Sequence, residues 1–111
     1  MTEFWIEKGW GVSIDNAEIS DAVNAVEEIR KRYDENSVFW IGHIHEEYVL
    51  KIHKDMTMLY IYGENQDKEL VVVLEEWSQA ENFIKMYFSK DFLDIKEQIK
   101  RFALNNKINL N

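Results

Sequence analysis

Residues 38–74 read VFWIGHIHEEYVLKIHKDMTMLYIYGENQDKELVVVL, and this stretch decides the fold. It holds four segments rich in β-branched and aromatic residues, with polar clusters between them. The segments are Val38–Ile44, Tyr48–His53, Met58–Tyr62 and Leu70–Leu74. Because the connections between them are short, they are predicted to form four strands of an antiparallel meander.

Two of these strands carry predictions about which face of the sheet is buried. In the third strand Tyr60 and Tyr62 share one face, and Leu59 and Ile61 share the other. We expect the aliphatic face to enter the core, which leaves the tyrosine hydroxyls toward solvent. The segment Leu70–Leu74 is apolar without alternation. It is therefore predicted to be a central strand covered on both faces, or a strand covered on one face and paired with a partner on the other.

A helix is predicted before the meander, because apolar residues there recur at helical spacing. Asp15 is expected to cap its N-terminus, and Glu18, three residues later, completes a capping-box pattern. All but one of the residues at this spacing are apolar or aromatic, which predicts that one face is buried; the exception is Arg30, and the residues are Ile19, Ala22, Val23, Val26, Ile29, Arg30 and Tyr33.

Two more helices are predicted after the meander. A second capping box, residues 78–81, opens the first of them, and residues 89–91 separate it from the last helix. The inward residues are expected to be Ala80, Phe83, Ile84, Tyr87 and Phe88 in the first, and Phe92, Ile95, Ile99, Phe102 and Ala103 in the second. The Asn-rich tail, residues 105–111, is expected to fray.

The N-terminal segment predicts one further strand. Residues 4–8 are β-prone and end at a turn signal, Gly9-Trp10-Gly11, after which the strand is expected to resume at residues 12–14. The predicted order is β-α-β-β-β-β-α-α. This is an α+β fold, an antiparallel meander of four to five strands with helices packed on one face. No linker or repeat divides the chain, so residues 1–111 are predicted to form a single domain.

The composition excludes several classes of function. The 111 residues include 21 acidic and 13 basic ones, a net charge of −8, whereas binding to a phosphate backbone needs a basic face. Nucleic acid is therefore not expected as a direct partner. The chain has no cysteine, which excludes disulfides and thiolate metal sites. It shows no signal-peptide pattern and no apolar run long enough to span a membrane, so we expect a cytoplasmic protein without a membrane partner.

The histidines are the first candidates for a metal site. His43 and His45 lie two residues apart and share a face if both are on a strand, and Glu46-Glu47 would add oxygen ligands. A tight turn centred on Glu46-Glu47 pairs position 43 with position 50, which directs His53 to the opposite face from His43. We therefore expect polar residues on the sheet surface and no metal.

Other patterns of catalysis are weak. The segment Gly9-Trp10-Gly11 has neither the third glycine of a dinucleotide loop nor the Gly-Lys-Ser/Thr of a phosphate loop. Adjacent carboxylates, such as Glu75-Glu76, point to opposite faces of a strand and so form no acid–base pair by themselves. No serine lies in a nucleophile-elbow pattern. We therefore expect no catalytic residues, no cofactor and no enzymatic activity.

The distribution of negative charge is more informative than any motif. Between Glu64 and Glu81 six acidic residues accompany one basic residue, Lys68, a net charge of −5. Acidic residues around tryptophan and tyrosine side chains are typical of a surface that binds a basic protein. Core positions for these aromatic residues are the alternative. The residues predicted to bind a partner are Glu46, Glu47, Glu64, Asp67, Glu75, Glu76, Tyr62 and Trp77.

The layout also resembles a known family. A short strand at Phe4–Glu7 precedes a helix with the acidic-apolar pattern Glu18-Ile19-Ser20-Asp21-Ala22-Val23, and the meander Val38–Leu74 precedes a helix at Ser78–Phe88. This layout, over residues 4–88, resembles that of immunity proteins of bacterial polymorphic-toxin and contact-dependent growth inhibition systems.

The resemblance implies that the chain neutralises one cognate toxin, often a nuclease, by tight binding inside the producing cell. It implies no catalytic residues. We expect the acidic loops to imitate the charge of a nucleic-acid substrate and to steer association with a basic toxin. A monomer or a weak dimer is expected. The alternative function is that of a small adaptor, or of an accessory domain that self-associates through an exposed face of the sheet.

Overall fold

The computed structural model describes residues 2–107, with the side chains of residues 2–102. It confirms the predicted α+β class and the order of the main elements, with six strands and three helices in the described part of the chain. The elements are β1 (Phe4–Lys8), β2 (Ile14–Asp15), α1 (Ile19–Lys31), β3 (Val38–His43), β4 (Val49–His53), β5 (Thr57–Tyr62), β6 (Lys68–Val73), α2 (Trp77–Phe88) and α3 (Phe92–Lys107).

All six strands form one antiparallel sheet in the order β2-β1-β3-β4-β5-β6. β1 lies inside this sheet, because α1 carries the chain across to β3 on its far side, where Phe4 is opposite His43 and Lys8 is opposite Phe39. The sixth strand is β2. It consists of Ile14–Asp15, rather than residues 12–14 as predicted.

The three helices cover the same face of the sheet. Because side chains alternate along a strand, Phe39 and Ile41 of β3 enter the core while Trp40 points to the opposite side. α1 packs on β1 and β3, α2 packs between α1 and α3, and α3 lies along β6. The core includes the fully buried residues Ile6, Ala25, Val26, Ile29, Phe39, Ile41, Leu50, Ile52, Met58, Tyr60, Ile84, Tyr87, Ile95 and Ile99.

The other face of the sheet, which we call the open face, is not covered by any helix of residues 2–107. One row of neighbours crosses it from β1 to β6, through Glu7, Trp40, Lys51, Leu59 and Val71. The Nζ of Lys51 lies 5.6 Å from the centroid of the Trp40 ring. Further side chains on this face belong to Trp5, Val38, Val49, His53, Thr57, Ile61, Glu69 and Val73.

The predicted burial of β5 is wrong. Tyr60 is fully buried and Tyr62 is half-buried on the helix side, whereas Leu59 and Ile61 lie on the open face. The Tyr60 hydroxyl donates a hydrogen bond of 3.0 Å to the Phe92 carbonyl. The buried phenol therefore keeps a hydrogen-bond partner, which is what permits a tyrosine in the core.

β6 is an edge strand, so the prediction of a central strand is wrong. Leu70 and Val72 face the helices, whereas Val71 and Val73 lie on the open face and are 49% and 59% exposed. The apolar run therefore has one covered side and one side in contact with solvent. A partner on that second side stays a prediction.

The N-terminus of α1 lies three residues later than predicted. Glu18, and not Asp15, is the N-cap, and the Asp21 carboxylate accepts a hydrogen bond of 2.8 Å from the Glu18 N–H. The earlier start is excluded because the N–H of Ala17 donates to the carbonyl of Phe4, at 2.9 Å, which ties this segment to β1.

The predicted buried face of α1 is correct at its centre and wrong at its two ends. α1 ends at Lys31, so Tyr33 lies beyond the helix and is fully exposed, and Ile19 in the first turn is 39% exposed. In α2 and α3 the predicted residues are buried or half-buried. The predicted inward position of Ala103 lies outside the described side chains. Residues 105–107 continue α3, and residues 108–111 lie outside the described residues.

Candidate protein-binding site

Two turns meet at one end of the sheet, which we call the acidic end. They are the β3–β4 turn, residues 44–48, and the β5–β6 turn, residues 63–67. The Gln66 side chain donates a hydrogen bond of 3.4 Å to the Glu47 carbonyl and so joins the two turns. The predicted site residues at this end are Glu46, Glu47, Tyr62, Glu64 and Asp67.

The acidic end carries four carboxylates on these two turns. Glu47, Glu64 and Asp67 are exposed, and Glu46 is half-buried. The two turns contain no lysine or arginine, and the nearest one in sequence is Lys68, the first residue of β6. Because like charges close together reinforce one another, the two turns produce a negative local potential.

The conformation of the β5–β6 turn depends on Gly63. Its φ angle is +99°, which residues with a side chain rarely adopt. A Cβ at this position would also meet the Asp67 carboxylate at 2.5 Å. Gly63 therefore allows the turn to fold back tightly and bring Asp67 beside it.

Aromatic rings lie directly beneath the acidic turns, on the helix side of the sheet. The ring of Tyr48 stacks on that of Phe92, with 4.8 Å between centroids, and lies 6.5 Å from that of Tyr62. The Nζ of Lys96 lies 4.2 Å from the Tyr62 centroid. The predicted anchor Tyr62 is therefore partly covered by α3. The Tyr87 hydroxyl holds this cluster by donating a hydrogen bond to the Tyr48 carbonyl.

A groove of about 500 Å³ opens between Tyr48 and the first turn of α3. Tyr48 and Phe92 give it an aromatic wall, and its rim carries the exposed carboxylates of Asp91 and Asp94 together with the exposed ammonium of Lys90. Aromatic faces and carboxylates together suit the side chain of an arginine or lysine. Sequence reasoning missed these residues. The available signal was Tyr48, which directly follows two glutamates.

The electrostatics of Tyr48 agree with this description. Burial raises the pKa of its phenol, and the negative charges of Glu47 and Glu46 raise that pKa further. The same field that disfavours a phenolate favours a cation beside the ring.

The remaining predicted residues, Glu75, Glu76 and Trp77, lie at the opposite end of β6. Glu76 is the N-cap of α2, in place of the predicted Ser78, and the side-chain oxygen of Gln79 accepts a hydrogen bond of 2.7 Å from the Glu75 N–H. Trp77 is half-buried against the core. The structure therefore divides the eight predicted residues between two ends of the sheet. Glu76 has a structural role there, because it caps the N-terminus of α2.

The histidines lie at the same end as the acidic turns, around Glu3. The Nε2 atoms of His43 and His45 lie 3.7 and 3.1 Å from one Glu3 oxygen. Burial lowers the pKa of His43, more than the nearby Glu3 carboxylate raises it. The ring therefore favours its neutral form, and its Nδ1 accepts a hydrogen bond from the His45 N–H.

The predicted register between β3 and β4 is wrong by two residues, because the turn occupies residues 44–48. Ile41 is opposite Leu50, and His53 is opposite Val38. His53 still points to the opposite face from His43, as predicted. Within residues 2–107 no group of three or more His, Cys, Asp or Glu side chains is placed to hold a metal ion.

A second groove, of about 630 Å³, lies at the C-terminal end of α1, far from the acidic turns. Several of its polar groups bond to one another. The Glu28 carboxylate accepts hydrogen bonds from Lys8, at 2.9 Å, and from the Trp10 indole, at 3.1 Å. Burial raises the pKa of Glu28, but the hydrogen bonds from Lys8 and Trp10, together with the positive charges of Lys8 and Arg32, outweigh it, so that pKa lies below its ordinary value. The Arg32 guanidinium lies over the Trp10 ring, 5.1 Å from its centroid. We therefore interpret this cluster as structural.

Comparison of the chain with protein-family profiles, with curated proteins and with solved structures gave no significant match. In the part of the chain that the structure describes, no helix combines the length and the apolar character that a transmembrane span requires.

Proposed function

We propose that this protein is a non-catalytic binding protein of the immunity type, which neutralises a basic, nuclease-type toxin through its acidic end. One observation carries this proposal: two turns about twenty residues apart in sequence converge on one end of the sheet, linked by the Gln66–Glu47 hydrogen bond. Their convergence concentrates Glu46, Glu47, Glu64 and Asp67 with no lysine or arginine among them.

The charges and the groove support different parts of the binding reaction. Exposed carboxylates on the two turns accelerate the encounter with a basic partner by long-range attraction. The groove beside Tyr48 accepts one basic side chain, whose burial against Tyr48 and Phe92 supplies much of the affinity. We therefore expect high salt to slow association strongly and to change dissociation less.

The opposite end of β6 is excluded from the proposed site. Glu76 caps α2 and Trp77 packs against the core, so both have structural tasks. We restrict the proposed site to Glu46, Glu47, Glu64 and Asp67, together with Tyr48. The proposal also places the protein in the cytoplasm of the cell that makes the toxin, since neutralisation has to occur there.

The test is binding of the purified chain to the toxin-like domain encoded next to its gene, measured by calorimetry and by protection of cells that express that domain. We expect tight binding and protection. The double variant Glu46→Lys with Glu47→Lys should lower the affinity by about 100-fold, which corresponds to about 2.8 kcal/mol. Absence of binding, or of a toxin-like neighbour, would contradict the proposal.

The matched control is Glu27→Lys with Glu35→Lys, which makes the same change of charge at exposed positions away from the acidic end. It should retain nearly full affinity, because only the local potential at the acidic end changes binding. Glu75→Lys separately tests the other end of β6. A loss of affinity in that variant, with none in the first, would move the site away from the two turns.

A further inference from the structure

His43 holds the first half of the β3–β4 turn through both its backbone and its ring. Its carbonyl accepts a hydrogen bond of 3.3 Å from the Glu46 N–H. Its Nδ1 atom accepts a second one, of 3.1 Å, from the His45 N–H. The ring thus acts as the side-chain acceptor of a tight turn, a role that the oxygens of asparagine and aspartate commonly fill. This role requires a free electron pair on Nδ1.

The same atom has to take up the proton when the ring becomes charged. A neutral imidazole has one N–H and one acceptor nitrogen. Because Nδ1 of His43 accepts the His45 N–H, the proton of the neutral ring lies on Nε2, and a second proton can be added only at Nδ1. The charged ring would then direct an N–H at the N–H of His45. The hydrogen bond and the charged ring therefore exclude each other.

Charged groups face His43 from three parts of the fold. The Glu3 carboxylate, next to β1, lies 3.7 Å from Nε2, His45 and Glu46 belong to the turn, and Lys90 lies between α2 and α3. The side chain of His43 is only 2% exposed, and burial lowers its pKa the most. Lys90 and His45 lower that pKa further, and the two carboxylates raise it by less. The ring is therefore neutral at neutral pH and becomes charged in more acidic solution.

His45 adds a second titratable ring to the same turn. Its side chain is 65% exposed, and its Nε2 lies 3.1 Å from the Glu3 carboxylate. When this ring is charged it forms an ion pair with Glu3 and places a positive charge beside the acidic turns. Protonation of the two histidines therefore changes both the hydrogen bonding and the charge of one segment, the segment that carries Glu46 and Glu47.

We propose that the β3–β4 turn is a proton-operated switch of the acidic end. In mildly acidic solution a proton on Nδ1 of His43 breaks the bond to the His45 N–H and loosens the first half of the turn. The two imidazolium charges also offset the carboxylates of Glu46 and Glu47, so the acidic end attracts cations less strongly. Release of a basic protein on acidification rests on the proposed function, whereas the change in the turn does not.

The sign of the accompanying change in stability follows from the burial of the ring. Folding lowers the pKa of His43 below its ordinary value of 6.5, so the unfolded state binds this proton more tightly than the folded state does. The contribution of neutral His43 to the free energy of unfolding is therefore complete above about pH 6.5 and is lost as the pH falls below it. Burial also lowers the pKa of His53, which adds to the same trend, so substitutions have to separate the two.

The test of the turn is nuclear magnetic resonance of the full chain from about pH 7.5 to about pH 5, which follows each imidazole and the exchange protection of the His45 amide. We expect this protection to fall by about tenfold as His43 becomes charged. His43→Asn is the matched variant, because its side-chain oxygen can accept the same N–H and takes up no proton. Its His45 amide should stay protected. A wild-type His45 amide that keeps its protection while His43 titrates would overturn the proposal.

The charge of the acidic end is tested by calorimetry with an oligolysine peptide as the probe, at low ionic strength. We expect the wild-type dissociation constant to rise by about fivefold from about pH 7.5 to about pH 5.5. The double variant His43→Asn with His45→Asn should lose most of this rise. His53→Gln, on the opposite face of the sheet, should retain it. A rise of equal size in the double variant would contradict a switch made by these two rings.

Failure of the switch and failure of the proposed function can be told apart. A chain that binds no toxin-like domain, yet shows the expected changes in the His45 amide and in oligolysine binding, would contradict the proposed function alone. A chain that binds the toxin-like domain equally well at both pH values, with its His45 amide protected throughout, would contradict the switch alone.

Discussion

At the scale of single residues, Gly42 determines how Trp5 packs on the open face. Trp5 on β1 is directly opposite Gly42 on β3, and its indole covers that position. A Cβ at residue 42 would overlap the indole ring. The missing side chain therefore lets a tryptophan pack against the sheet, where it is half-buried without any helix above it.

Gly42→Ala should destabilise the fold by about 1–3 kcal/mol, because the added methyl group displaces the Trp5 indole from the sheet. The midpoint of urea denaturation measures the loss. Tryptophan fluorescence should shift to longer wavelength, since Trp5 becomes more exposed. Gly11→Ala is the matched control, because no heavy atom lies within 4 Å of a Cβ at that position. Equal destabilisation in the two variants would refute this reading of Gly42.

Residue-scale prediction from the sequence fails where a distant partner decides the outcome. The alternation in β5 correctly divides its residues between two faces, but it does not indicate which of the two faces is buried. The carbonyl of Phe92 satisfies the hydroxyl of Tyr60, and these residues are 32 positions apart. The local pattern favours burial of the aliphatic residues Leu59 and Ile61. The hydrogen bond of the Tyr60 hydroxyl instead allows the larger aromatic surface to be buried.

At the scale of elements, the sequence predicts the strands and helices well and their ends poorly. β1 has the predicted bounds, and no end of a strand in the β3–β6 meander differs from the prediction by more than two residues. Both predicted N-caps are wrong, because suitable cap residues occur at neighbouring positions. For α1, the hydrogen bond between Ala17 and Phe4 selects Glu18 over Asp15. The decisive contacts are tertiary, so a local pattern does not contain them.

The attachment of α3 to the sheet is predicted to depend on the Tyr60 hydroxyl. Tyr60→Phe leaves the buried Phe92 carbonyl without its partner, which should lower the free energy of unfolding by about 1–2 kcal/mol. Chemical denaturation measures the loss, and amide exchange should accelerate first in the opening turns of α3. Tyr62→Phe, on the same face but half-buried, should cost clearly less. An unchanged stability in Tyr60→Phe would contradict this role of the hydrogen bond.

At the scale of the whole molecule, the sequence predicts an uneven charge but not where it lies. Glu64 to Glu81 is acidic in sequence, yet the fold sends Glu64 and Asp67 to one end of β6 and Glu75 and Glu76 to the other. The acidic end is completed by the β3–β4 turn, which is distant in sequence. Only the topology of the meander reveals this convergence, because alternate turns of a meander lie at the same end.

The net charge of −8 predicts how salt changes stability. Self-repulsion of excess negative charge opposes folding, and salt screens it over a Debye length of about 30 Å at 0.01 M and about 10 Å at 0.1 M. We expect the melting temperature at pH 7 to rise between these salt concentrations. The effect should vanish near pH 4.8, where the chain carries no net charge. A melting temperature that falls with salt at pH 7 would show that local ion pairs outweigh the repulsion.

The interior position of β1 also has a consequence for how the chain acquires its structure. Residues 4–8 pair with residues 39–43, so a strand near the start of the chain is inserted beside one that is synthesised much later. The meander from β3 to β6 needs only short-range closure and can nucleate first, whereas docking of β1 has to wait for the helix that carries the chain across. During translation, the edge of β1 that pairs with β3 is therefore expected to stay unpaired until β3 has left the ribosome, whereas β2 can pair with the other edge earlier.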